Sequence, residues 1–170
     1  IIRGKNAEKP ALTYILFSSA GAYLILIGFA YGFAETGSLY IYSLAGILHS
    51  APLIFILLSI GFLTKSGALG LHVWLPGAYA EADDDVTPFI SSILSKAGIF
   101  GLILFLTVFG KQYLLKISLP YLLGWLGILT ALFGALMAVF QEDIKKLLAY
   151  SSMSQIGYII MSVGLMSHLG

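Results

Sequence analysis

The sequence predicts an all-α membrane protein, a polytopic bundle of transmembrane helices, and three observations lead to that prediction. Of its 170 residues, 59% are hydrophobic and only 10% are charged, whereas soluble domains carry about 25% charged residues. Apolar runs long enough to cross a bilayer, which takes about 20 residues, recur along the chain. These runs lack the apolar–polar alternation of strands, and an open sheet leaves its edges unsatisfied in lipid. We therefore expect a multi-pass protein of the cell membrane.

The apolar runs divide the chain into successive spans. The second run is too long for one straight helix, and Gly67 and Gly70 within it predict a break near residues 65–70. Glycines recur inside other spans, which favours close helix packing in lipid. Because the chain starts without methionine and ends after an apolar run, we expect a single transmembrane segment of a larger subunit. The predicted spans are residues 11–33, 51–80, 88–110, 119–140 and 153–168.

The distribution of lysine and arginine predicts the orientation in the membrane. Cytoplasmic loops carry an excess of these residues. With loops alternating between two faces, the face with the larger number carries the N-terminal flank and the loops at residues 81–85 and 142–146. We expect that face in the cytoplasm. Its basic residues are Arg3, Lys5, Lys9, Lys145 and Lys146, whereas the opposite face has Lys111 and Lys116.

Two lysines lie inside predicted spans, where an ionisable side chain is costly and usually lines an ion path. At ~1.5 Å per residue, Lys65 lies ~21 Å from Ala51. Lys96 lies ~12 Å from Pro88, on a span that enters from the opposite face, so both lysines are expected near the midplane. Burial disfavours the charged form of lysine, so two at one depth can form a proton relay. The alternative is that each side chain extends to the interface.

Two further polar residues are candidates for a relay. His72 follows the predicted break, and transporters place ion sites at such breaks. Imidazole titrates near neutral pH and can shuttle protons, but a packing histidine that bonds a carbonyl is an equal alternative. Gln155, in the last span, either holds water on a path or bonds between helices.

The charged loops have structural explanations. Thr87 is expected to cap the helix that begins at Pro88, with the acidic run before it at the positive end of that helix. A proton-collecting surface is the alternative for this acidic run. At residues 142–146, Lys146 is expected to pair with Glu142 and Asp143 on a solvated helical turn.

Composition also excludes several classes of function. The chain has no cysteine, which rules out disulfides and cysteine-ligated zinc or iron–sulfur clusters within it. It shows no cofactor-binding motif, so we expect no cofactor and no redox chemistry in this chain. The net charge of +1 gives no indication of nucleic-acid binding.

Three blocks of sequence resemble the antiporter-like family of proton-conducting membrane subunits. That family is shared by respiratory complex I, Mrp-type sodium/proton antiporters and membrane-bound hydrogenases. The resemblance covers most of the chain from about residue 51 onward, and the first span fits it only loosely. The blocks are Thr64-Lys65-Ser66-Gly67 with Leu71-His72-Val73-Trp74-Leu75-Pro76-Gly77-Ala78-Tyr79, Ser91-Ser92-Ile93-Leu94-Ser95-Lys96-Ala97-Gly98, and Gln141-Glu142-Asp143-Ile144-Lys145-Lys146-Leu147-Leu148-Ala149-Tyr150-Ser151-Ser152 with Gly157-Tyr158.

The resemblance implies a larger subunit built on inverted repeats, of which this chain forms the central helices. It implies that Lys65 pairs with a glutamate on a preceding helix, and that Lys96 belongs to a central hydrophilic axis. Gln155 stands where many members carry histidine. The run Asp83-Asp84-Asp85 replaces a common Ala-Pro pattern, and this version looks most like archaeal membrane-bound hydrogenases or related sulfur-reducing complexes.

The resulting hypothesis is proton, or alternatively sodium, translocation by a subunit of a redox-driven complex such as a hydrogenase or an NADH dehydrogenase. The ion would move by reprotonation of Lys65 and Lys96. The expected partners are the lipid bilayer and other membrane subunits of a respiratory or antiporter complex. A first alternative is a subunit of a stand-alone Mrp-type sodium/proton antiporter. A second is a membrane scaffold that conducts nothing.

Overall fold

The computed structural model describes residues 7–47, 50–109, 113–114 and 117–169. Helices dominate these ranges, and the predicted all-α multi-pass bundle is confirmed. A two-residue antiparallel ladder, β1 (Tyr113–Leu114) with β2 (Ile117–Ser118), precedes the sixth helix. The helices are α1 (Glu8–Thr36), α2 (Ala51–Ser66), α3 (Trp74–Glu81), α4 (Thr87–Phe89), α5 (Ser95–Phe109), α6 (Leu119–Val139) and α7 (Ile144–Leu169), with a 3₁₀ turn at Ile41–Gly46 and a π-helical turn at Ile90–Leu94.

Three helical stretches of the described chain are long and apolar enough to cross a membrane: Glu8–Thr36, Thr87–Val108 and Leu119–Val139. The second stretch runs from α4 through the π-helical turn into α5. Helix α2 is equally apolar but has 16 residues, ~24 Å of helix, which falls short of the ~30 Å hydrocarbon core. The eight residues of α3 add ~12 Å beyond the break. The broken pair α2–α3 therefore has the length of one span.

The last helix begins earlier than predicted. It starts at Ile144, whereas the apolar run places its start near residue 153. Its first turns contain Lys145 and Lys146, which an apolar-run criterion excludes. The Asp143 carboxylate accepts hydrogen bonds from the amides of Lys145 at 2.8 Å and Lys146 at 3.4 Å, so a side-chain cap fixes this start.

Two loop predictions are wrong. Val86, already in helical conformation, precedes α4 without a side-chain cap. The amides of Val86 and Thr87 both bond the Asp83 carbonyl, and the Thr87 hydroxyl donates backward to the same carbonyl at 3.2 Å. Thr87 is thus the first helical residue. Lys146 forms no ion pair with Glu142 or Asp143, and the Asp143 carboxylate instead caps α7.

The helices pack in two groups. Helices α1, α2 and α5 pack around the rings of Phe55 and Phe105, which lie 5.0 Å apart, in a core that also includes Leu123 of α6 and Ile160 of α7. Helices α6 and α7 form a close hairpin whose contacts are backbone to backbone. A methyl group on Gly134 would lie 2.7 Å from the Ser154 amide nitrogen, and one on Gly164 would lie 2.5 Å from the Gly124 nitrogen. The glycines of this span therefore serve close packing, as the sequence predicts.

Helix α3 lies between the two groups. Its Gly77 contacts Pro10 of α1, and its buried face packs on Ala149 and Met153 of α7. The start of α1, the end of α3 and the start of α7 consequently lie at one end of the bundle. This agrees with the predicted common face for their loops. The residues Arg3, Lys5, Lys111 and Lys116, on which the orientation prediction partly depends, lie outside the described residues.

Candidate functional site

Lys65 lies in the last turn of α2, immediately before the helix break. Its ammonium donates a hydrogen bond of 2.9 Å to the Ser18 hydroxyl of α1, and the residue is half-buried. Together with Tyr14, Thr64 and Trp74, this pair lines a cavity of about 50 Å³. Such a volume holds water, which needs roughly 10–15 Å³. The C-terminal end of a helix carries partial negative charge, which favours a cation at this position.

The break leaves backbone groups that need partners at membrane depth. Gly67, with φ 78°, ends α2 in the left-handed conformation, and the amides of Gly67 and Ala68 both bond the Leu63 carbonyl. Side chains supply two further partners. The Trp74 indole donates to the Thr64 carbonyl at 3.0 Å. The Leu69 amide donates to the Thr130 hydroxyl of α6 at 3.1 Å. The open backbone is thus satisfied within the protein.

Sequence reasoning missed these supporting residues. Ser18 and Thr130 both lie in ordinary apolar runs. Trp74 had one usable indication, since its indole N–H needs an acceptor when buried and the broken helix end nearby offers free carbonyls.

Lys96 lies at the same level as Lys65 but on another side of its helix. Gly98 of α5 packs directly on α2, and a methyl group on it would lie 3.0 Å from the Lys65 Cβ. Lys96 is two residues earlier, so it points about 200° away around the helix axis, and its side chain is exposed. Direct contact between the two lysines is therefore absent. A relay between them requires water or another side chain.

A π-helical turn at Ile90–Leu94 directly precedes Lys96. Such turns are rare inside helices and occur frequently at functional sites. The hydroxyl of Ser91, which belongs to this turn, lies 3.2 Å from the hydroxyl of Ser152 on α7. The next residue, Ser95, is fully buried and its hydroxyl has no hydrogen-bond partner in the described chain. The turn thus places the Ser91 hydroxyl against α7, and the residue after the turn carries a buried hydroxyl.

His72 lies on the opposite side of the break from the Lys65 cavity. Its ring contacts Phe133 of α6, with centroids 5.2 Å apart, and Tyr150 of α7 at 6.4 Å. Within the described chain, its buried Nδ1 has no hydrogen-bond partner. The predicted alternative, a packing histidine whose ring bonds a carbonyl, is therefore not formed through Nδ1. The structure does not bring His72 and Lys65 together.

Gln155 is exposed on α7, and its side chain makes no hydrogen bond to the part of the chain that the structure describes. The predicted alternative of a hydrogen bond between helices is therefore absent here.

A second lysine contact lies at the end of the bundle. The Lys145 ammonium donates to the Ala82 carbonyl at 2.7 Å and pairs with the Asp84 carboxylate at 2.7 Å. The hydrogen bond and the charge of Lys145 lower the pKa of Asp84 below its ordinary value of 3.8. The Asp84 carboxylate is therefore ionised at neutral pH.

Chemically, the arrangement provides a half-buried ammonium with one hydroxyl acceptor, space for water and a satisfied helix break. A serine hydroxyl can both accept and donate hydrogen bonds, so Ser18 can bridge the ammonium to water in the cavity.

Comparison with known proteins identifies similar chains. A family profile described as "NADH:quinone oxidoreductase/Mrp antiporter, TM" matches residues 2–170. The chain is 34% identical over 167 residues to hydrogenase-4 component B of Escherichia coli (strain K12), which covers 94% of this chain and 24% of that protein. It is 32% identical over 168 residues to NADH-quinone oxidoreductase subunit N of Desulforudis audaxviator (strain MP104C), covering 94% and 33%.

Two solved structures share the fold. One is an archaeal respiratory membrane complex, the membrane-bound sulfane sulfur reductase, with a TM-score of 0.79 and 35% identity over 94% of this chain and 28% of that one. The other is the Mrp complex from Dietzia sp. DQ12-45-1b, with a TM-score of 0.86 and 25% identity over 96% and 30%. The chain thus spans about a quarter to a third of the length of these relatives.

Proposed function

This chain belongs to the transmembrane family shared by NADH:quinone oxidoreductase and Mrp antiporters, and from that premise we propose that it translocates protons across the cell membrane. It acts as part of an antiporter-like subunit in a redox-driven complex. The relatives at 32–35% identity include a hydrogenase component, an NADH-quinone oxidoreductase subunit and a sulfane sulfur reductase complex. All three names denote redox enzymes. The partners of this chain are other membrane subunits of such a complex.

The observation that carries the proposal is the position of Lys65. An ammonium at a helix break, with a hydroxyl partner and a water-sized cavity, has the features of a reversible proton carrier. Lys96 lies at the same level on the neighbouring helix and serves as the next carrier. Lys65 on α2 lies against one side of α5, and Lys96 leaves α5 on a different side. The proton therefore passes between them through water. His72 and Gln155 are secondary positions on this route.

Ion translocation by the full complex in sealed vesicles tests the proposal. Lys65→Ala and Lys96→Ala each lower the initial rate roughly tenfold or more at equal assembly, because a proton carrier is lost. Lys146→Ala is the matched control, since this half-buried lysine lies in the first turn of α7 and has no ion pair within the described residues. Rates equal to wild type for both Lys65→Ala and Lys96→Ala would contradict the proposal and favour a scaffold.

The ion itself is tested in the same vesicles. With protons as the transported ion, gradient formation persists after sodium is replaced by choline in all buffers. Loss of the gradient in choline, with recovery on adding sodium, would assign sodium instead.

A stand-alone sodium/proton antiporter is the second candidate function. The fold similarity favours it, because the TM-score to the Mrp complex exceeds that to the reductase complex. The sequence identities favour the redox-driven assembly instead, because the chain is 35% identical to the reductase complex and 25% identical to the Mrp complex. Purification of the tagged native subunit separates the two. A redox module with electron-transfer cofactors co-purifies in the first case, and only further membrane subunits do so in the second.

A further inference from the structure

Lys145 occupies a position that its own helix disfavours. It is the second residue of α7, and the N-terminal end of a helix repels a cation. Its side chain turns away from α7 to reach the segment after α3. There the ammonium bonds the Ala82 carbonyl and the Asp84 carboxylate, each at 2.7 Å. These contacts, Lys145 with Ala82 and Asp84, are called the latch below.

The latch acts on the C-terminal end of α3. Ala82 is the residue that caps α3, and the last carbonyls of a helix favour a cation. The Lys145 side chain is 30% exposed and that of Asp84 is 90% exposed. The contact with the Ala82 carbonyl is consequently the more shielded half of the latch, and the carboxylate provides an outer partner.

The other end of α3 carries Trp74, which is part of the Lys65 cavity. The indole of Trp74 bonds the Thr64 carbonyl, one residue before Lys65. Helix α3 has only eight residues, so it forms one short rigid body between the latch and the cavity. Gly67 and Gly70, both with positive φ, join it to α2 through turns, including a bond from the Leu71 amide to the Ala68 carbonyl, rather than a continuous helix. Contacts along α3 therefore contribute to setting its direction.

We propose that Lys145 is a positioning residue for the ion path, which holds α3 through the latch and thereby keeps Trp74 against the end of α2 beside Lys65. Its effect on transport rests on the proposed function. Its effect on the position of α3 does not. Loss of the latch loosens residues 72–86 and lowers transport without removing any proton carrier.

Hydrogen–deuterium exchange on the assembled full-length complex tests the positional step. Lys145→Met removes the ammonium with little change in side-chain length, and exchange across residues 72–86 rises roughly fivefold or more. Lys146→Met is the matched control and leaves this segment unchanged. Lys145→Arg keeps a cation that reaches both acceptors, and it restores protection. Asp84→Asn weakens only the ion pair with Lys145 and gives a smaller rise in exchange. Asp85→Asn, at a neighbouring exposed carboxylate, is the control for this variant.

Transport by the same variants tests the functional step. Lys145→Met lowers the initial rate roughly threefold or more at equal assembly, and Lys145→Arg recovers it. Unchanged exchange in Lys145→Met overturns the latch, whatever the transport result. Raised exchange with a wild-type transport rate overturns the positioning role. Wild-type rates in both Lys65→Ala and Lys96→Ala would instead contradict the proposed function, and the exchange result would still decide whether the latch exists.

Discussion

At the scale of single residues, the environment of Lys65 depends on one hydroxyl. Its ammonium bonds Ser18, and the neighbouring Ser19 bonds the Ile15 carbonyl of its own helix at 2.6 Å. Two adjacent serines on α1 thus have different roles. Ser18 bonds the proposed proton carrier, whereas the Ser19 hydroxyl bonds a carbonyl of its own helix.

Ser18→Ala removes the acceptor of the Lys65 ammonium and leaves the lysine in place. We expect transport to slow roughly three- to tenfold, as for the loss of about 1 kcal/mol from one hydrogen bond at a half-buried site. Initial rates in sealed vesicles measure this effect at equal assembly. Ser19→Ala is the control and keeps the wild-type rate. Equal rates for Ser18→Ala and wild type would mean that this hydroxyl does not orient the carrier.

At the scale of the helices, two devices hold the bundle together. The break between α2 and α3 is stabilised by side chains that bond freed backbone groups, notably Trp74 and Thr130. The α6–α7 hairpin instead excludes side chains from its seam. A methyl group on Gly157 would collide with the backbone nitrogen of Ala131. The break between α2 and α3 therefore depends on a large side chain, that of Trp74, whereas the α6–α7 hairpin depends on residues without a side chain.

Trp74→Phe keeps an aromatic ring beside Tyr14 and removes the donor to the Thr64 carbonyl. We expect a stability loss of about 1–3 kcal/mol, because a buried carbonyl loses its partner. Thermal loss of the monodisperse complex in detergent reports it. Trp125→Phe, at a ring that is about half exposed on α6, is the control. The role of the indole N–H is refuted if both variants melt alike.

Gly157→Ala forces the α6–α7 backbones apart. Overpacking of a tight contact costs about 1–3 kcal/mol, so less assembled subunit is expected in the membrane. The amount of assembled complex and its melting temperature are the measurements. Gly46→Ala is the matched control, since no atom lies within 4 Å of the added methyl group. Wild-type assembly of Gly157→Ala would show that the hairpin is looser than described.

At the scale of the whole molecule, contacts between distant elements define one end of the bundle. The latch joins the loop after α3 to the start of α7, and Pro10 at the start of α1 contacts Gly77. Leu39, 90% exposed, follows the far end of α1. The lysine distribution predicts that the latch end faces the cytoplasm. The contacts place the start of α1, the loop after α3 and the start of α7 at one end of the bundle, in agreement with that prediction.

Cysteine labelling tests this orientation, and the chain has no cysteine of its own. Asp85→Cys and Glu142→Cys are expected to react with a membrane-impermeant maleimide only in inside-out vesicles. Leu39→Cys is expected to react only in right-side-out vesicles. Labelling of Asp85→Cys and Glu142→Cys from opposite faces would contradict the common end, and labelling of all three from the reverse faces would invert the orientation.

Some features of the fold follow from local sequence. Apolar runs and scarce charge predict the spans, and Gly67 and Gly70 predict the break, because backbone conformation at glycine is decided locally. The start of α7 was misplaced, since a polar first turn capped by Asp143 is invisible to hydrophobicity. The π-helical turn at Ile90–Leu94 contains no glycine or proline from which it could be predicted.

The sequence by itself determined the membrane fold, the broken helix and the candidate lysines, because each depends on residue type and on neighbours along the chain. Only the tertiary structure decided which groups meet. Ser18 lies 47 positions from Lys65, Thr130 lies 61 from Leu69, and Lys145 lies 63 from Ala82. It also decided that Lys65 and Lys96 share a level and face different sides. Such pairings arise from how helices pack and rotate against one another, and no local pattern encodes the angle at which a side chain leaves a packed helix.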